Sequence, residues 1–294
     1  MTEQTLSPHA DYAAPAVVTS AQPDFPPRLS APPAPTMPPP HVYAIGNIEA
    51  RFPSLAVEKE FAQATRGAAS AGLSDRALFH ATLNAPENRY IARQLCWVLV
   101  IRGMDTYIVR PRYQADLDLL VESIRPEPSP ADLDVVIGSQ GPLATPDMCN
   151  GMIVPVVHFD QIYSFDRDAL SGLVPRSAEL SDAQNDAAVG QVLDMVLRVA
   201  DNAGATDEHR ALNYLTMRYS DIYTRTAEQF HADFSLTDVE VRQSTLGGDR
   251  NLVNCVFSYT SRQSGFTEKL AVTVDVTEKF PFLVDRLGPY YDRR

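Results

Sequence analysis

The chain has 294 residues, of which 45% are hydrophobic and 21% charged, so it can fill one large core or two small ones. Its formal net charge of −12 argues against nucleic acids and anionic membranes as partners, because binding a phosphate-rich surface needs a positive field. Its longest apolar stretches are far shorter than the roughly 20 residues of a spanning helix, so no membrane segment is expected.

The cysteines and the N-terminus favour the cytoplasm. The three cysteines, Cys96, Cys149 and Cys255, are odd in number and far apart in sequence. We therefore expect neither a disulfide framework nor a CxxC pair. The first residues lack the basic and apolar regions of a secretory signal. A reducing, cytoplasmic location follows as the expectation.

Proline content divides the chain into two parts. Eleven of the 23 prolines lie in residues 1–40. Proline has no N–H and a fixed φ, so such a run forms neither a helix nor a strand ladder. We predict a disordered tail over residues 1–40 and one folded domain over residues 41–294.

The first part of this domain alternates strands and helices. Residues 42–45 are a predicted strand, and Ser54 and Ser74 are predicted N-caps of helices. A third helix starts near Pro86 and leads into the apolar run at Leu95. Further along, the pattern predicts a strand at 106–109, a helix at 115–124 and strand-length apolar runs at 134–138 and 152–159.

Two long helices and a β-meander are predicted for the second part. Apolar residues repeat on one helix face over residues 189–200, and a second helix starts after the N-cap Thr206 and runs to Phe230. Apolar and polar residues then alternate around residues 239–241, 253–259 and 270–276, with glycine turns between them. Helices between N-terminal mixed strands and a C-terminal antiparallel meander predict an α+β fold.

Several long segments resemble one protein family. They are residues 51–61, 87–97, 148–151, 159–166, 201–214 and 276–284. Together they resemble the C-terminal domain of PatG-type and PatA-type cyanobactin maturation proteins, over roughly residue 41 to the end. In that family the domain follows a subtilisin-like protease that processes ribosomally made precursor peptides. The domain itself has no assigned chemistry, so the resemblance implies a pathway and not a reaction.

The protease chemistry of that family is not expected here. A subtilisin-like triad needs an Asp, a His and a Ser in separate short motifs around glycines. The sequence contains no Asp-Thr-Gly, His-Gly-Thr or Gly-Thr-Ser motif. The resemblance is therefore to the accessory domain without the protease.

One polar cluster is the candidate peptide-binding site. Its members, around the predicted turn between the two long helices, are Asp201, Asn202, His209 and Asn213. His209 and Asn213 stand four residues apart, which places them on one helix face. Such a surface would bind a peptide amine or guanidinium. The alternative is helix capping and hydrogen bonding between helices.

A cysteine or metal site is the second hypothesis. Cys149 lies in a predicted loop, and His158 or His209 would be the base of a cysteine nucleophile. The alternative for Cys149 is a small apolar side chain that fills a turn. Zinc would find ligands among the three cysteines and His80, His158 and His209, with Cys149 and His209 preferred. None stands at the paired spacing of structural zinc sites, so we expect no cofactor.

The leading hypothesis is a non-catalytic accessory domain. It would bind a precursor peptide, or scaffold a separate peptide-modifying enzyme, through an exposed edge of the meander. One alternative is a metal- or cysteine-dependent peptide-modifying enzyme. Another is a dimerisation module, which would make the chain a homo-oligomer.

Overall fold

The computed structural model describes residues 39–67, 73–129, 132–166, 172, 181–199, 201–245 and 247–291. The predicted disordered tail, apart from Pro39 and Pro40, lies outside these residues. The first strand begins at His41, where the folded domain was expected to start. In the described part of the chain, no helix combines the length and the apolar character needed to cross a membrane.

Five strands close into a barrel in the order β1-β2-β3-β5-β4. They are β1 (His41–Arg51), β2 (Cys96–Ile101), β3 (Met104–Pro111), β4 (Asp132–Leu143) and β5 (Pro155–Asp166). β3 and β5 run parallel, and the other neighbours are antiparallel. This is the arrangement of an OB-fold barrel. Closure gives every barrel strand two neighbours, and along β1 residues 41–46 pair with β4 while residues 47–51 pair with β2.

Four helices pack against the barrel core. The helices are α1 (Leu55–Ala64), α2 (Asp75–Asn84), α3 (Arg89–Gln94) and α4 (Leu117–Ser123). The side chain of Ser54 accepts a hydrogen bond from Val57 N, and that of Ser74 from Ala77 N, which confirms both predicted N-caps. The helices add Leu83, Ile91 and Leu120 to a buried cluster with barrel residues such as Trp97, Leu99 and Phe159.

Three further helices and a second sheet form the other half. They are α5 (Asp182–Leu197), α6 (Asp207–Arg218), α7 (Asp221–His231), β6 (Phe234–Gln243), β7 (Leu252–Ser261), β8 (Thr267–Asp275), β9 (Phe282–Leu283) and β10 (Gly288–Pro289). The sheet order is β10-β8-β7-β6, and β9 also pairs with β8. All pairings in this sheet are antiparallel. The predicted meander is confirmed.

The second long helix is shorter than predicted. The pattern extended it from Thr206 to Phe230, but α6 ends at Arg218 and α7 starts at Asp221. Between them Tyr219 has an extended backbone, with φ of −119° and ψ of 91°. The hydroxyl of Tyr219 accepts a hydrogen bond from Leu287 N at 3.0 Å. The apolar periodicity continues across the break because both helices face the same core.

The helices α5, α6 and α7 pack on the meander, and α5 and α6 also pack on the barrel. Toward the meander they form a core with Val253, Cys255, Phe257 and Tyr259 of β7, which the sequence placed on one face. Toward the barrel, Tyr214 and Met217 of α6 pack on a second cluster that contains Tyr43 and Ile137. The α+β class is confirmed, and both α5 and α6 contact the two sheets.

Candidate functional site

Two of the four predicted peptide-binding residues form a buried amide pair. Asn213, on α6, is 1% exposed, and Asn202, in the turn before α6, is 8% exposed. Asn202 Nδ2 donates to Asn213 Oδ1 at 2.8 Å, and Asn213 Nδ2 donates back to Asn202 Oδ1 at 3.1 Å. Asn213 Nδ2 also donates to Tyr43 O, on β1, at 2.8 Å. These amides are therefore engaged with the protein interior.

The same turn lies directly on β1. Tyr43 N donates to Gly204 O at 2.9 Å. Gly204 has a φ of +71°, and a Cβ at this position would lie 2.3 Å from Tyr43 O. Only glycine combines this left-handed backbone with so close an approach. The turn at 201–206 is thus a docking element between α6 and the barrel.

The other two predicted residues lie at the rim of this turn. Asp201 is exposed, with a φ of 56°. His209 is half-buried, and its backbone N donates to the side chain of Thr206, the predicted N-cap, at 3.2 Å. Burial lowers the pKa of His209, although Glu208 and Asp201 act in the opposite direction. Two of the four residues lie in the turn and two on α6, but of the four only Asp201 and His209 retain access to solvent that a ligand would need.

Arg210 is a buried cation that the sequence patterns did not single out. It is 3% exposed, and its guanidinium donates to Val276 O at 2.8 Å and to Asp207 Oδ1 at 3.0 Å. It also donates to Glu278 O. Asp207 lies on α6, and the two carbonyl acceptors lie in the segment after β8, so Arg210 connects α6 to that segment. The sequence offered one sign of this burial: Arg210 stands between two acidic residues, Asp207 and Glu208, and the apolar face of the helix.

The cysteine expectation is wrong for two of the three residues. Cys96, at the start of β2, and Cys149, in the loop after β4, form a disulfide with an S–S distance of 2.09 Å. They are separated by 53 residues in sequence, but the barrel brings the two segments together. In this oxidised form Cys149 carries no thiol nucleophile. Its sulfur packs in an apolar cluster on the outer face of the barrel.

The remaining candidate metal ligands are dispersed. Cys255 is a free, buried thiol in the meander core, where burial raises its pKa. His80 lies on α2, and His158 lies half-buried on β5. Among the residues that the structure describes, no three His, Cys, Asp or Glu side chains converge as a metal ion would require.

Strand β6 is an open edge of the second sheet. It pairs with β7 on one side, and no described strand lies on its other side. Ser244 N donates to Leu252 O, so by alternation Arg242 and Glu240 also bond toward β7. The backbone N–H and C=O groups of Val239, Val241 and Gln243 therefore point outward.

The open part of this edge has a defined start. Outward-facing Leu236 O already accepts a hydrogen bond from Gln191 Nε2 of α5 at 3.0 Å. A register shift follows between Leu236 and Asp238. The open segment is therefore residues 238–243, which we call the β6 edge.

The two faces of the β6 edge differ in chemistry. Val239 and Val241 are half-buried and pack on the helix–meander core. Asp238 and Arg242, on the other face, are exposed, and Arg242 pairs with Glu240. Charged side chains and a bulge are also the devices with which proteins protect an edge strand from unwanted pairing. A segment that pairs here would need apolar residues on one face and cationic or polar residues on the other.

Comparison with known proteins identifies what the chain is similar to. Residues 179–290 match the family model described as PatG C-terminal. The chain is also similar to a solved structure described as "PatG Domain of Unknown Function", with 20% sequence identity and a TM-score of 0.69. The similarity covers 85% of this chain and 98% of that chain. No curated protein matches the chain. The resemblance to the PatG C-terminal domain is confirmed, and its fold extends to the barrel.

Proposed function

We propose that the chain is a non-catalytic accessory domain of cyanobactin-type peptide maturation that holds an extended precursor peptide on the β6 edge. The match to the PatG C-terminal domain supports the pathway. The outward N–H and C=O groups of β6 are the observation that carries the binding mode. A separate peptide-modifying enzyme as the partner belongs to the same proposal.

Main-chain pairing would supply most of the affinity. An added strand bonds to the outward groups of Val239, Val241 and Gln243, and such bonds do not depend on the sequence of the guest. That tolerance suits a protein that handles peptides of varied sequence. The side chains then set a preference, because cross-strand neighbours interact in pairs.

The preferred guest alternates apolar and cationic residues. Its apolar side chains would lie beside Val239 and Val241, and its cationic side chains beside Asp238 and Glu240. The chain's net charge of −12 adds a long-range attraction for a cationic peptide. A guest with acidic residues at the cationic positions should bind more weakly because like charges opposite each other repel.

N-methylated peptides test this mode without changing the protein. The probe is a fluorescein-labelled short peptide that alternates Lys and Val, in two versions that carry N-methyl groups on the Lys amides or on the Val amides. Each version blocks one edge of the peptide strand. Binding measured by fluorescence anisotropy should survive in one version and be lost in the other. Equal binding of both versions contradicts strand addition.

A matched pair of variants locates the peptide. Gln243→Pro removes an outward N–H from an exposed position while the bonds to β7 remain. Gln243→Ala is its control. The proline variant should bind the probe more weakly and the alanine variant as the parent does. If the parent chain instead forms a dimer that Gln243→Pro dissociates, and no probe binds, the chain is a dimerisation module.

A further inference from the structure

A cavity of about 290 Å³ opens on the outer face of the barrel. Its walls come from the start of β2, the end of β3, His158 near the start of β5, the last turn of α3, the segment with Gln114 and Leu117, and the loop that carries Met148. None of its lining residues belongs to α5, α6, α7 or the meander. It is therefore separate from the β6 edge.

Strand register brings a cation and an imidazole together in this cavity. Arg110 of β3 and His158 of β5 are direct partners in the parallel pairing. Directly paired residues project from the same face of a sheet. Arg93, in the last turn of α3, also lines the cavity. Three nitrogen-rich side chains from three separate elements therefore line one cavity.

The positive charge of this cavity is not neutralised by the protein. No Asp or Glu side chain is among the lining residues. In the described part of the chain, the side chains of Arg93 and Arg110 take part in no ion pair or hydrogen bond, whereas neighbouring Arg112 pairs with Asp160 at 2.9 Å. The whole chain has 37 acidic against 25 basic residues, so carboxylates were available for pairing.

The histidine supports an anion without adding a full charge. Burial, with help from Arg112 and Arg110, lowers the pKa of His158, which favours the neutral ring. A neutral imidazole still has one N–H to donate. The two guanidinium groups supply the charge, and their planar forks match a carboxylate better than an ammonium would.

The rest of the lining is mostly apolar, with Gln94 and Gln114 as its polar members. Leu95, Trp97 and Ile108 line the cavity together with Met148 and Cys96, whose sulfur is bonded to Cys149. The disulfide fastens the Met148 loop to β2, which makes this wall a fixed one. A ligand that fits has a small anionic group attached to an apolar body.

We infer that this cavity binds a carboxylate carried by an apolar residue of a peptide, such as a free C-terminus. Long polyanions fit poorly, because the surrounding chain has a net charge of −12. Free phosphate has the charge but no apolar body. The inference does not depend on the β6 edge, since it concerns different strands and a different chemical group.

Paired peptides that differ only at the terminus provide the test. The probes are fluorescein-labelled Ala-Val-Leu-Phe with a free C-terminal carboxylate and the same peptide as an amide. The acid should bind about tenfold more tightly than the amide, because the amide cannot make the charge-assisted hydrogen bond. Equal affinities overturn the inference. Competition by inorganic phosphate or by oligo-dT at least as strong as that by the unlabelled acid assigns the cavity to phosphate groups and also overturns it.

Variants and chemical-shift mapping locate the site. Arg93→Gln with Arg110→Gln should abolish the difference between acid and amide. The control, Arg66→Gln with Arg102→Gln, removes two exposed charges that do not line the cavity and should preserve the difference. In the parent chain, the acid should shift the amide resonances of Arg110 and His158. This measurement stands even if the double variant folds poorly, and shifts confined to other residues overturn the inference.

Discussion

The side chain of Asn213 and the main chain of Tyr43 are 170 residues apart in sequence, yet Nδ2 of the first donates to O of the second at 2.8 Å. Because Asn202 returns a hydrogen bond to the same amide, the three residues form one buried network. The network joins α6, the turn before it and the first barrel strand.

Asn213→Ala should therefore lower the free energy of unfolding by about 2–4 kcal/mol, since it leaves the Asn202 amide and Tyr43 O without partners. Asn84→Ala, at an exposed position on α2, should change it by less than about 0.5 kcal/mol. Urea denaturation of both variants measures the difference. A small loss for Asn213→Ala, combined with weaker peptide binding, would instead support the predicted binding role of this turn.

Gly204 allows a second comparison of matched substitutions. Gly204→Ala places a Cβ against the backbone of Tyr43 and Ala44 at a φ of +71°, whereas Gly248→Ala meets nothing within 4 Å at a φ of +58°. The second change should cost about 1 kcal/mol from backbone strain alone. The first should cost at least about 3 kcal/mol or prevent folding. Similar melting temperatures for the two variants would show that the turn can move away from β1.

Arg210→Met should destabilise the chain by about 2–4 kcal/mol, because it leaves Asp207 and the carbonyl groups of Val276 and Glu278 without their donor. Arg225→Met is the control, since the Arg225–Glu228 pair is exposed and contributes less than about 0.5 kcal/mol. The midpoints of guanidinium chloride unfolding compare the stabilities of the two variants. Equal midpoints would contradict a structural role for Arg210.

Stability should fall as the pH drops from about 7 to about 5. Burial is the first cause that lowers the pKa of His41, His158 and His209 in the folded chain. Below the unfolded value of about 6.5, the unfolded chain therefore binds more protons than the folded one, which favours unfolding. Replacing all three residues by Gln should flatten the urea midpoint between these pH values. An equally steep decline in the triple variant would assign it to other groups.

Thiol counting tests the Cys96–Cys149 bond. In denaturant without reductant, Ellman's reagent should find one thiol per chain, Cys255, and after reduction and removal of the reductant it should find three. Reduction should also lower the stability of the folded chain by about 2–4 kcal/mol, because the bond closes a long loop of the unfolded chain. Three thiols before reduction would contradict the disulfide and support the reduced state that the sequence predicted.

Local features of the fold were predictable, and distant pairings were not. Ser54, Ser74 and Thr206 cap their helices because an N-cap depends on neighbouring residues. The alternation of β7 is likewise a local pattern. Barrel closure, by contrast, depends on β1 pairing with β4 about ninety residues later, and no local pattern encodes this contact.

The candidate sites divide in the same way. The polar cluster from Asp201 to Asn213 was found, but its burial was not, because the burying surface is Tyr43 of β1. Arg93 and Arg110 carry no motif, and only the register of β3 with β5 brings Arg110 beside His158. The β6 edge was anticipated as a free meander edge, although which strand was free required the sheet order.

The contacts at Tyr43 also bear on how much of the chain folds independently. The segment that matches the family model starts at residue 179, beyond the last barrel strand. Within it, Asn213 and Gly204 make hydrogen bonds to β1, and Tyr214 and Met217 pack on barrel side chains. Excised at that boundary, the segment would present these polar and apolar groups to water. The start of the family match at residue 179 therefore lies inside one cooperative folding unit. Limited proteolysis should yield no resistant fragment that begins near this residue.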